Sequence, residues 1–498
     1  MAKKARMAKG RLQRLMGQMG LTSANCRKVM IACVQAVAMY GSELWWKGEG
    51  NRGMGGPEAE LQKLVNQQAR AVTGCYRTTN LGALIAEAGL RPATTQLDNR
   101  QRRFATRLLT LPQGNEAKKV VGAESELGGR LRAAVGYAGR VEKIIMTAEP
   151  SGLGAEVIVE GREDAKRAAE QKRAGLTIFV DGPRAESGAV GYAVVWERRG
   201  GKRGWAGIKT HMGFNQEAFD AECAALERAL EVAARRRQPP ERVTIFSDAQ
   251  AALARITSDE PGPGQQYALK ARKWIEMLRK AQPNVRIELR WCPAHEGVEG
   301  NERADKAAKT AADEPDERGV EWLGHKDRYG RRHMPLPRSI ANIRREVGEK
   351  KWAEARDWSE KRIKRKKYKM PEKMRQQAVV AEGPKRLAER FHQLRTGHCR
   401  TAQYLEWTKN ADTATCGWCQ YKTQTREHLL KHCKKWKTQQ KTLWAEVRKK
   451  TGRGKDRFTV PDLLADKRCT GAVLGFLRTT RVGSRTGPPR PGGGEEGG

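Results

Sequence analysis

The pattern of apolar and polar positions changes near residue 176. From residue 176 to 313, short apolar runs alternate with segments of helical periodicity, and two runs, residues 176–181 and 243–248, are rich in β-branched residues and end on aspartate. Such runs are typical of strands that are buried on both faces in a parallel sheet. Residues 216–236 carry alanine and leucine at helical spacing. The alternation predicts an α/β sheet domain over residues 176–313.

The flanking regions lack this alternation. Residues 1–115 mix apolar and basic positions at helical spacing, which predicts a helical region, and residues 116–175 show no strand pattern, which predicts a linker with some helix. We interpret residues 314–400 as a basic nucleic-acid-binding segment and residues 401–450 as a separate cysteine-bearing region. Residues 451–498 form a C-terminal region whose Gly- and Pro-rich tail predicts disorder.

The charge is distributed as unevenly as the apolar positions. The 498 residues include 96 Lys and Arg against 57 Asp and Glu, a net charge of +39. Residues 176–313 hold 22 basic and 19 acidic residues, a net charge of only +3, so the flanks carry +36. An excess of this size predicts a polyanionic partner. We expect the basic flanks to bind single-stranded or duplex nucleic acid.

Targeting features predict a location inside the cell. The sequence has no run of about 18 apolar residues that could span a bilayer, and its basic N-terminus lacks the apolar core of a signal peptide. We therefore expect no membrane partner, an intracellular and nuclear location, and reduced cysteines. The basic run KRIKRKKYK at residues 361–369 fits a phosphate-binding track, a nuclear import signal or a solvated helix face, and we favour the first two together.

Four carboxylates and one histidine stand where a site is expected. Asp181 and Asp248 end two strands, and the carboxyl ends of parallel strands border the ligand crevice of an open α/β sheet. Glu222 lies within the apolar stripe of its predicted helix, where an ionised carboxylate is costly unless a cation or hydrogen bonds compensate it. Asp305 faces the core side of a further helix, after a loop that carries His295. In the alternative reading, the aspartates cap turns and Glu222 pairs with a buried arginine.

The stretch HEGVEGNERAD at residues 295–305 matches a family motif at full length. Its helix is expected to begin near Asn301, a favourable N-cap residue. Together with Asp181, Glu222 and Asp248, this stretch resembles the active-site set of type 1 ribonucleases H. The resemblance implies a mixed five-stranded sheet with flanking helices, and cleavage of the RNA strand of RNA–DNA hybrids.

The same resemblance implies a metal cofactor. Two Mg²⁺ ions, with Mn²⁺ as an alternative, would be bridged by Asp181, Glu222, Asp248 and Asp305. The ions would offset the repulsion among the carboxylates, and one would activate the attacking water while the other stabilises the leaving 3′ oxygen. His295 would transfer protons or help release the product.

One position departs from the family. Pro183 stands where the family usually has serine after Asp-Gly. Because proline has neither an N–H nor a hydroxyl group, a substrate contact made there by serine is lost. The metal carboxylates are unchanged, so we expect weaker substrate contact but not inactivity.

The flanks also resemble a known context, the region that follows the reverse transcriptase in non-LTR retrotransposons, especially fungal ones. The matching segments are residues 37–45, 68–74, 87–90, 103–109, 393–398 and 404–405. The resemblance covers most of residues 20–435 and implies the C-terminal part of such an element's polyprotein, either a truncated copy or a separate gene. The Asp-Asp pair of a polymerase is absent from the sequence.

A second candidate site is rich in cysteine. Its residues are Cys416, Cys419, His428 and Cys433. Three thiolates and an imidazole are a tetrahedral zinc set, which predicts one structural Zn²⁺ in a CCHC zinc knuckle. Trp418 and Tyr421 would then stack on unpaired bases. Free cysteines on an amphipathic helix are the alternative, and Cys399 is a further candidate ligand.

Two other functions fit parts of the pattern. One is a catalytically inactive nucleic-acid-binding remnant of a retrotransposon polyprotein, which Pro183 and the missing polymerase favour. The other is a DNA-cutting transposase or integrase on the same fold. The complete carboxylate set argues against the first, and residues 295–305 argue against the second. We therefore predict a metal-dependent hybrid endoribonuclease with basic and zinc-bearing flanks.

Overall fold

The structure is a computed structural model and forms two compact units. The helical unit comprises Met1–Gln101 and Glu349–Gly498, and the sheet unit comprises Arg102–Gly348. The described residues are 2–18, 20–48, 55–111, 114–135, 141–145, 153–198, 204–323, 325–326, 333–363 and 368–484. The end of the predicted disordered tail, residues 485–498, lies outside them.

The N-terminal part of the chain is helical, as the sequence predicts. Its helices are α1 (Ala2–Gln18), α2 (Ser23–Val29), α3 (Ala36–Ala38), α4 (Ser42–Trp45), α5 (Gly55–Thr73), α6 (Leu81–Ala88) and α7 (Ala93–Leu109), with a π-helical segment, Met30–Gln35, between α2 and α3. Asn80 caps α6 because its Oδ1 accepts hydrogen bonds from the backbone N–H groups of Gly82 and Ala83. Gly89 ends the helix in the left-handed conformation, with φ of 58°.

The sheet unit is built on seven strands. They are β1 (Glu156–Ile158), β2 (Leu176–Asp181), β3 (Val190–Arg198), β4 (Gly204–Gly213), β5 (Arg242–Ser247), β6 (Arg286–Trp291) and β7 (Val320–Trp322). Their order is β1-β6-β5-β2-β3-β4-β7. Strands β1, β6, β5 and β2 are parallel, β3 is antiparallel to β2 and β4, and β7 is parallel to β4. Two short strands, β8 (His325–Lys326) and β9 (His333–Met334), pair separately.

Helices cover both faces of this sheet. They are α10 (Arg162–Glu170), α11 (Ala218–Ala234), α12 (Gln250–Thr257), α13 (Gln265–Ala281) and α14 (Glu299–Asp313). Two further helices, α8 (Glu116–Gly122) and α9 (Glu126–Ala134), pack with the end of α7 in a small apolar cluster of their own. Alternate residues of β2 face opposite sides, so Val180 packs with Leu226 and Ile275 of α11 and α13 while Phe179 packs with Ala304 of α14. The mixed α/β fold class predicted from the sequence is confirmed.

The sheet unit differs from the expectation in three places. The sheet has seven strands rather than five, because β1 and β7 add three residues each at its edges. β1 lies in the region that was expected to be a linker without strands, whereas α10 agrees with the helix expected there. The last helix begins at Glu299, two residues before Asn301, with Val298 as its N-cap, and the buried Asn301 side chain instead accepts a hydrogen bond from Cys292 Sγ at 3.4 Å.

The C-terminal part of the chain is again helical. Its helices are α15 (Ile340–Glu360), α16 (Ala378–Ala381), α17 (Lys385–Thr396), α18 (Ala402–Trp407), α19 (Lys437–Thr451), α20 (Val460–Ala465) and α21 (Thr470–Thr479), with a π-helical turn, His428–His432, before α19 and 3₁₀ turns at Lys434–Trp436, Lys455–Arg457 and Lys467–Cys469. No described helix is long and apolar enough to cross a membrane.

Within the helical unit, the two parts of the chain share one core. Leu84 and Ile85 of α6 are buried in the same apolar cluster as Ala355 and Met374. A buried charge network lies beside this cluster. The Glu87 carboxylate accepts hydrogen bonds from Tyr368 Oη (2.6 Å) and His392 Nδ1 (2.8 Å) and pairs with Arg395 Nε (3.0 Å). The segments that resemble retrotransposon sequences on either side of the sheet unit are therefore in contact.

The basic run at residues 361–369 is only partly described. Residues 364–367 lie outside the described residues. Helix α15 ends at Glu360, so the described residues of the run do not form a solvated helix face. Tyr368 is buried, and Lys369 Nζ pairs with Asp462 Oδ1 at 2.9 Å. The phosphate track and the import signal stay predictions.

Candidate metal centres

Two aspartates lie side by side at the carboxyl-terminal ends of two neighbouring central strands of the sheet. Asp181 is the last residue of β2, and Asp248 directly follows β5. These parallel strands are in register, with Val180 opposite Ser247, so the next residue of each strand is an aspartate. Asp181 is 7% exposed. The strand pattern in the sequence therefore identified a real juxtaposition.

Helix α11 brings a third carboxylate to these strand ends. Glu222 is 8% exposed, although it stands among the apolar residues of its helix. The backbone N–H of Gly182 donates to Asp181 Oδ1 (2.7 Å) and to Glu222 Oε1 (3.1 Å). A Cβ at Gly182 would lie 2.5 Å from the backbone of Ala221 and Glu222, so only glycine permits α11 to approach β2 this closely.

The three carboxylates form a crowded acidic centre, which we call the acidic cluster. Oxygen atoms of Asp181, Glu222 and Asp248 all lie within 4.8 Å of one another. Burial, reinforced by the charge of Asp248, raises the pKa of Asp181 to about 7. Burial, followed by the charges of Asp181 and Asp248, raises the pKa of Glu222 well above its usual range. Burial also raises the pKa of Asp248. A nearby positive charge would therefore favour full ionisation of the three carboxylates at neutral pH.

The donor chemistry of the cluster fits a hard divalent cation. All the ligand atoms are carboxylate oxygens, which Mg²⁺ and Mn²⁺ prefer. Glu222 Oε2 is buried and has no hydrogen-bond partner among the described residues. An orphaned, buried carboxylate oxygen is costly unless an ion or water satisfies it.

Asp305 lies near the acidic cluster but outside it. Its charge contributes to the raised pKa values of Asp181 and Asp248. Its side chain is 23% exposed, and its Oδ2 accepts a hydrogen bond from Lys309 Nζ, one helical turn later, at 2.7 Å. Lys309 is a neighbour of the site that was not predicted from the sequence. The structure thus brings three of the four predicted metal ligands together and pairs the fourth with a lysine.

Comparison with known protein families identifies this part of the chain. A family model described as RNase H matches residues 173–313. These residues form an RNase H domain. No curated protein matches the chain.

Among the solved structures that are similar to this part of the chain are those of three RNase H proteins. RNase H1 from the halophilic archaeon Halobacterium salinarum NRC-1 is 20% identical, with 27% of this chain and 96% of that chain covered, at a TM-score of 0.21. The PFV RNase H domain is 16% identical, with 29% and 97% covered, at a TM-score of 0.23. LC11-RNase H1, isolated from compost by a metagenomic approach, is 20% identical, with 29% and 99% covered, at a TM-score of 0.22.

The loop of the RNase H domain that carries His295 is exposed and strained. His295 has a positive φ of 54°, which is uncommon for a residue with a side chain. Its charge lowers the pKa of Asp248 against the effect of burial. The next residue, Glu296, pairs with Arg162 and, at 3.9 Å, with Lys166 of α10. A helix from the expected linker therefore anchors the histidine loop next to the acidic cluster.

Pro183 leaves the hydrogen bonds of the acidic cluster intact. The donor to both carboxylates is the N–H of Gly182, one residue earlier. The carbonyl oxygen of Pro183 accepts from Gly191 N at 3.4 Å. The departure from the family therefore changes the surface beside the acidic cluster rather than its ligands.

The helical unit contains the second candidate centre, which we call the Cys/His cluster. It consists of Cys416, Cys419, His428 and Cys433, whose ligand atoms lie within 4.8 Å of one another. The Sγ atom of Cys433 is 3.9 Å from that of Cys416 and 3.7 Å from that of Cys419, and Cys419 Sγ is 3.2 Å from His428 Nε2. Tetrahedral zinc with bonds of about 2.3 Å to sulfur would separate two thiolates by about 3.8 Å. The residues present therefore fit zinc.

Electrostatics and packing around the Cys/His cluster support the same assignment. The mutual hydrogen bond of Cys416 and Cys433 lowers the pKa of Cys416 and raises the pKa of Cys433, so the two thiols share a proton that a metal binding both as thiolates would displace. Cys416 and Cys433 are buried in an apolar cluster with Leu429, Val447 and further residues of α17, α19, α20 and α21. The Cys/His cluster is thus embedded in a larger core, and the small separate knuckle expected from the sequence is not what the structure has. Cys399 is buried but lies outside the cluster.

The aromatic residues predicted to stack on bases are placed differently. The ring of Tyr421 is 51% exposed on one side and stacks on His428 on the other, with centroids 4.8 Å apart and planes at 6°. Trp418 packs edge-on against Trp436, with centroids at 5.4 Å. Only Tyr421 of the pair therefore presents a largely exposed ring.

Proposed function

We propose that the RNase H domain cleaves the RNA strand of RNA–DNA hybrids with two divalent cations, Mg²⁺ or Mn²⁺. The observation that carries the proposal is the acidic cluster, in which Asp181, Glu222 and Asp248 converge within 4.8 Å inside a domain matched by the RNase H family. Carboxylates this close and this buried are unfavourable without cations.

Each residue of the centre has a distinct task in this proposal. Asp181, Glu222 and Asp248 would hold the ions, and Asp305 would join them once its pairing with Lys309 is exchanged for metal. When bound, the ions supply an activated water and stabilise the leaving 3′ oxygen. The exposed His295 would take up or deliver a proton at the water or the product. The N–H of Gly182 fixes the two innermost carboxylates in position.

The basic flanks supply substrate affinity. They carry +36 of the net charge of +39, whereas residues 176–313 carry +3. Phosphate contacts by lysine and arginine dominate affinity for nucleic acid and make it dependent on salt. We propose that the flanks bind duplex and single-stranded nucleic acid and that the Cys/His cluster holds one structural Zn²⁺. On the sequence resemblance of the flanking segments, we also propose an origin in a non-LTR retrotransposon.

A substrate panel tests this function. The purified full chain is incubated with Mg²⁺ and labelled RNA–DNA hybrid, duplex RNA or duplex DNA. We expect cleavage of the RNA strand of the hybrid alone. Cleavage of duplex DNA would instead support a transposase-like nuclease, and binding of the hybrid without cleavage under Mg²⁺ or Mn²⁺ would support an inactive binding remnant.

A further inference from the structure

Helix α18 of the helical unit is short and exposed, and it carries two aromatic residues. None of its six residues is buried. Trp407 is 63% exposed, and Tyr404 lies one turn earlier on the same side. The helix is nevertheless capped, because Thr401 Oγ1 accepts a hydrogen bond from Tyr404 N at 3.2 Å. A capped helix whose residues are at most half-buried contributes little to the core, so its exposed tryptophan needs another explanation.

The rings form a continuous patch, which we call the aromatic surface and define as Tyr76, His398, Tyr404 and Trp407. Tyr76 and Tyr404 are stacked, with centroids 5.6 Å apart and planes at 18°. The ring centroid of Trp407 lies 5.9 Å from that of Tyr404 and 6.1 Å from that of His398. Thr78 Oγ1 and Tyr404 Oη are hydrogen-bonded at 2.7 Å, which fixes the central ring. The patch is therefore ordered in advance of any ligand.

The charge around the aromatic surface suits a polyanion. Burial raises the pKa of the Tyr76 phenol, and the positive charge of nearby Arg400 opposes this shift. Arg77 and Lys409 are exposed next to the rings in sequence. Residues 385–450, which include α18, hold 16 Lys and Arg but only 5 Asp and Glu. Aromatic rings interleaved with basic side chains are typical of grooves that bind single-stranded nucleic acid.

A single buried glutamine connects this helix to the Cys/His cluster. Gln424 is 3% exposed. Its Oε1 accepts a hydrogen bond from Ala402 N, at the first turn of α18 (2.8 Å), and its Nε2 donates to Cys416 Sγ (3.2 Å). Hydrogen bonds to a thiolate ligand position both the ligand and the donor. The orientation of α18 is therefore tied to the state of the cluster.

We propose that the aromatic surface binds unpaired nucleotides of RNA or DNA by stacking, and that the metal-loaded Cys/His cluster holds this surface in place through Gln424. The proposal rests on nucleic-acid binding by the helical unit and deepens it by naming the surface and the form of the ligand. Stacking is independent of base sequence because every base has a flat face. The surface thus selects unpaired strands, whereas the acidic cluster acts on a paired hybrid.

The test measures binding of labelled single strands by fluorescence anisotropy over a range of salt concentrations. All proteins carry Asp248→Asn, so the result does not depend on whether the acidic cluster cleaves. Trp407→Ala should weaken binding of single-stranded RNA and DNA by about 5- to 150-fold, as expected for one lost stacking contact. The slope of affinity against salt should be unchanged because no phosphate contact is lost. Trp407→Phe should retain most of the affinity. Tyr40→Ala, at an aromatic residue that is 71% exposed outside the surface, is the matched control and should have no effect.

A second arm tests the connection through Gln424. Gln424→Glu keeps an oxygen for Ala402 N but removes the donor to Cys416, so single-strand affinity should fall several-fold while affinity for intact hybrid stays. Removing the zinc from the wild-type cluster should have the same effect. The proposal is overturned if Trp407→Ala binds single strands as tightly as the protein that carries Asp248→Asn alone. It is also overturned if Trp407→Ala weakens binding of the hybrid as much as binding of single strands. The connection is overturned if the zinc-free protein binds single strands with unchanged affinity.

Discussion

The acidic cluster and the Cys/His cluster hold their ligands in opposite ways. The acidic cluster consists of Asp181, Glu222 and Asp248, which repel one another at the carboxyl-terminal ends of the central strands. Neighbouring Asp305 is partly exposed. Cys416 and Cys433 instead lie in an apolar core, with their sulfur atoms already at metal-ligand spacing. A crowded, hard site exchanges its ion with solvent and suits chemistry, whereas an embedded, soft site retains its ion and suits structure. The comparison predicts that each cluster can be disabled without the other.

The largest effect is expected from Asp248→Asn. The substitution keeps the size of the side chain but removes a negative charge from the acidic cluster and directs an NH₂ donor at a metal position. We expect hybrid cleavage to fall by at least roughly 10²–10³-fold, as for the loss of one electrostatic catalytic group. Hybrid affinity should stay within a few-fold of wild type because the flanks supply most phosphate contacts. Cleavage rates and anisotropy on the same preparation measure both quantities.

Asp313→Asn is the control for this substitution. Asp313 is the exposed last residue of α14, in the same domain. It should cleave as wild type does. Equal cleavage by wild type and Asp248→Asn would instead show that the acidic cluster is not the active site. His295→Ala should be milder than Asp248→Asn, because water can replace a proton carrier but not a charged metal ligand.

The next largest effect is expected at the Cys/His cluster. We expect the wild-type chain to bind about one zinc ion and Cys433→Ser to bind none. The same substitution should lower the free energy of unfolding of the helical unit by an amount near the top of the roughly 0.5–3 kcal/mol that is typical of single substitutions. Metal analysis and thermal unfolding provide the measurements. Cys399→Ser, at a cysteine that is equally buried but outside the cluster, should keep its zinc. Loss of zinc in both variants would show that the ligand assignment is wrong.

A smaller effect is expected from pH on the metal-free sheet unit. The pKa of Asp181 is about 7 in the folded state, above its usual value of 3.8, so its favourable contribution is complete below pH 4 and is lost as the pH rises to about 7. The melting temperature without divalent ions should therefore fall between pH 5 and pH 8, by about 2–4 °C for each kcal/mol lost. Mg²⁺ should restore it at pH 8 but have little effect at pH 5. A metal effect of the same size at both pH values would contradict this account.

The smallest effect is expected from Lys309→Met. Lys309 competes with a metal for Asp305, and an exposed pair at this spacing contributes roughly 0.2–0.5 kcal/mol. The Mg²⁺ concentration that gives half-maximal cleavage should fall by about 1.5- to 2-fold, because less free energy is needed to release Asp305. Lys306→Met, at an exposed lysine of the same helix, should leave it unchanged. A higher Mg²⁺ requirement in Lys309→Met would show that the lysine assists the site.

Several features could be predicted from the sequence because they rest on local patterns. Asp181 and Asp248 followed from two similar strands, and Glu222 followed from a carboxylate within an apolar helical stripe. In contrast, β1 and β7 span three residues each and exist through pairing with β6 and β4. A three-residue segment carries too little periodicity to identify a strand.

Other features depend on contacts between distant parts of the chain. Glu87 meets His392 and Arg395 about three hundred residues later, so no local pattern could place the two parts of the helical unit in one core. Gln424 is an ordinary glutamine in the sequence, and only its two hydrogen bonds give it a role. Lys309 could have been noticed, because it stands four residues after Asp305 on a predicted helix.

The dependence of hybrid cleavage on exchangeable metal tests the central claim most directly. The full chain is dialysed briefly against EDTA, its zinc content is measured, and cleavage and hybrid binding are followed as Mg²⁺ is added back. We expect no cleavage before Mg²⁺ is added and full recovery of cleavage with Mg²⁺ or Mn²⁺. The zinc content and the affinity for hybrid should stay unchanged throughout. Cleavage that survives the removal of Mg²⁺ while zinc is retained, or that does not recover on adding Mg²⁺ or Mn²⁺, would contradict a catalytic acidic cluster beside a separate structural zinc.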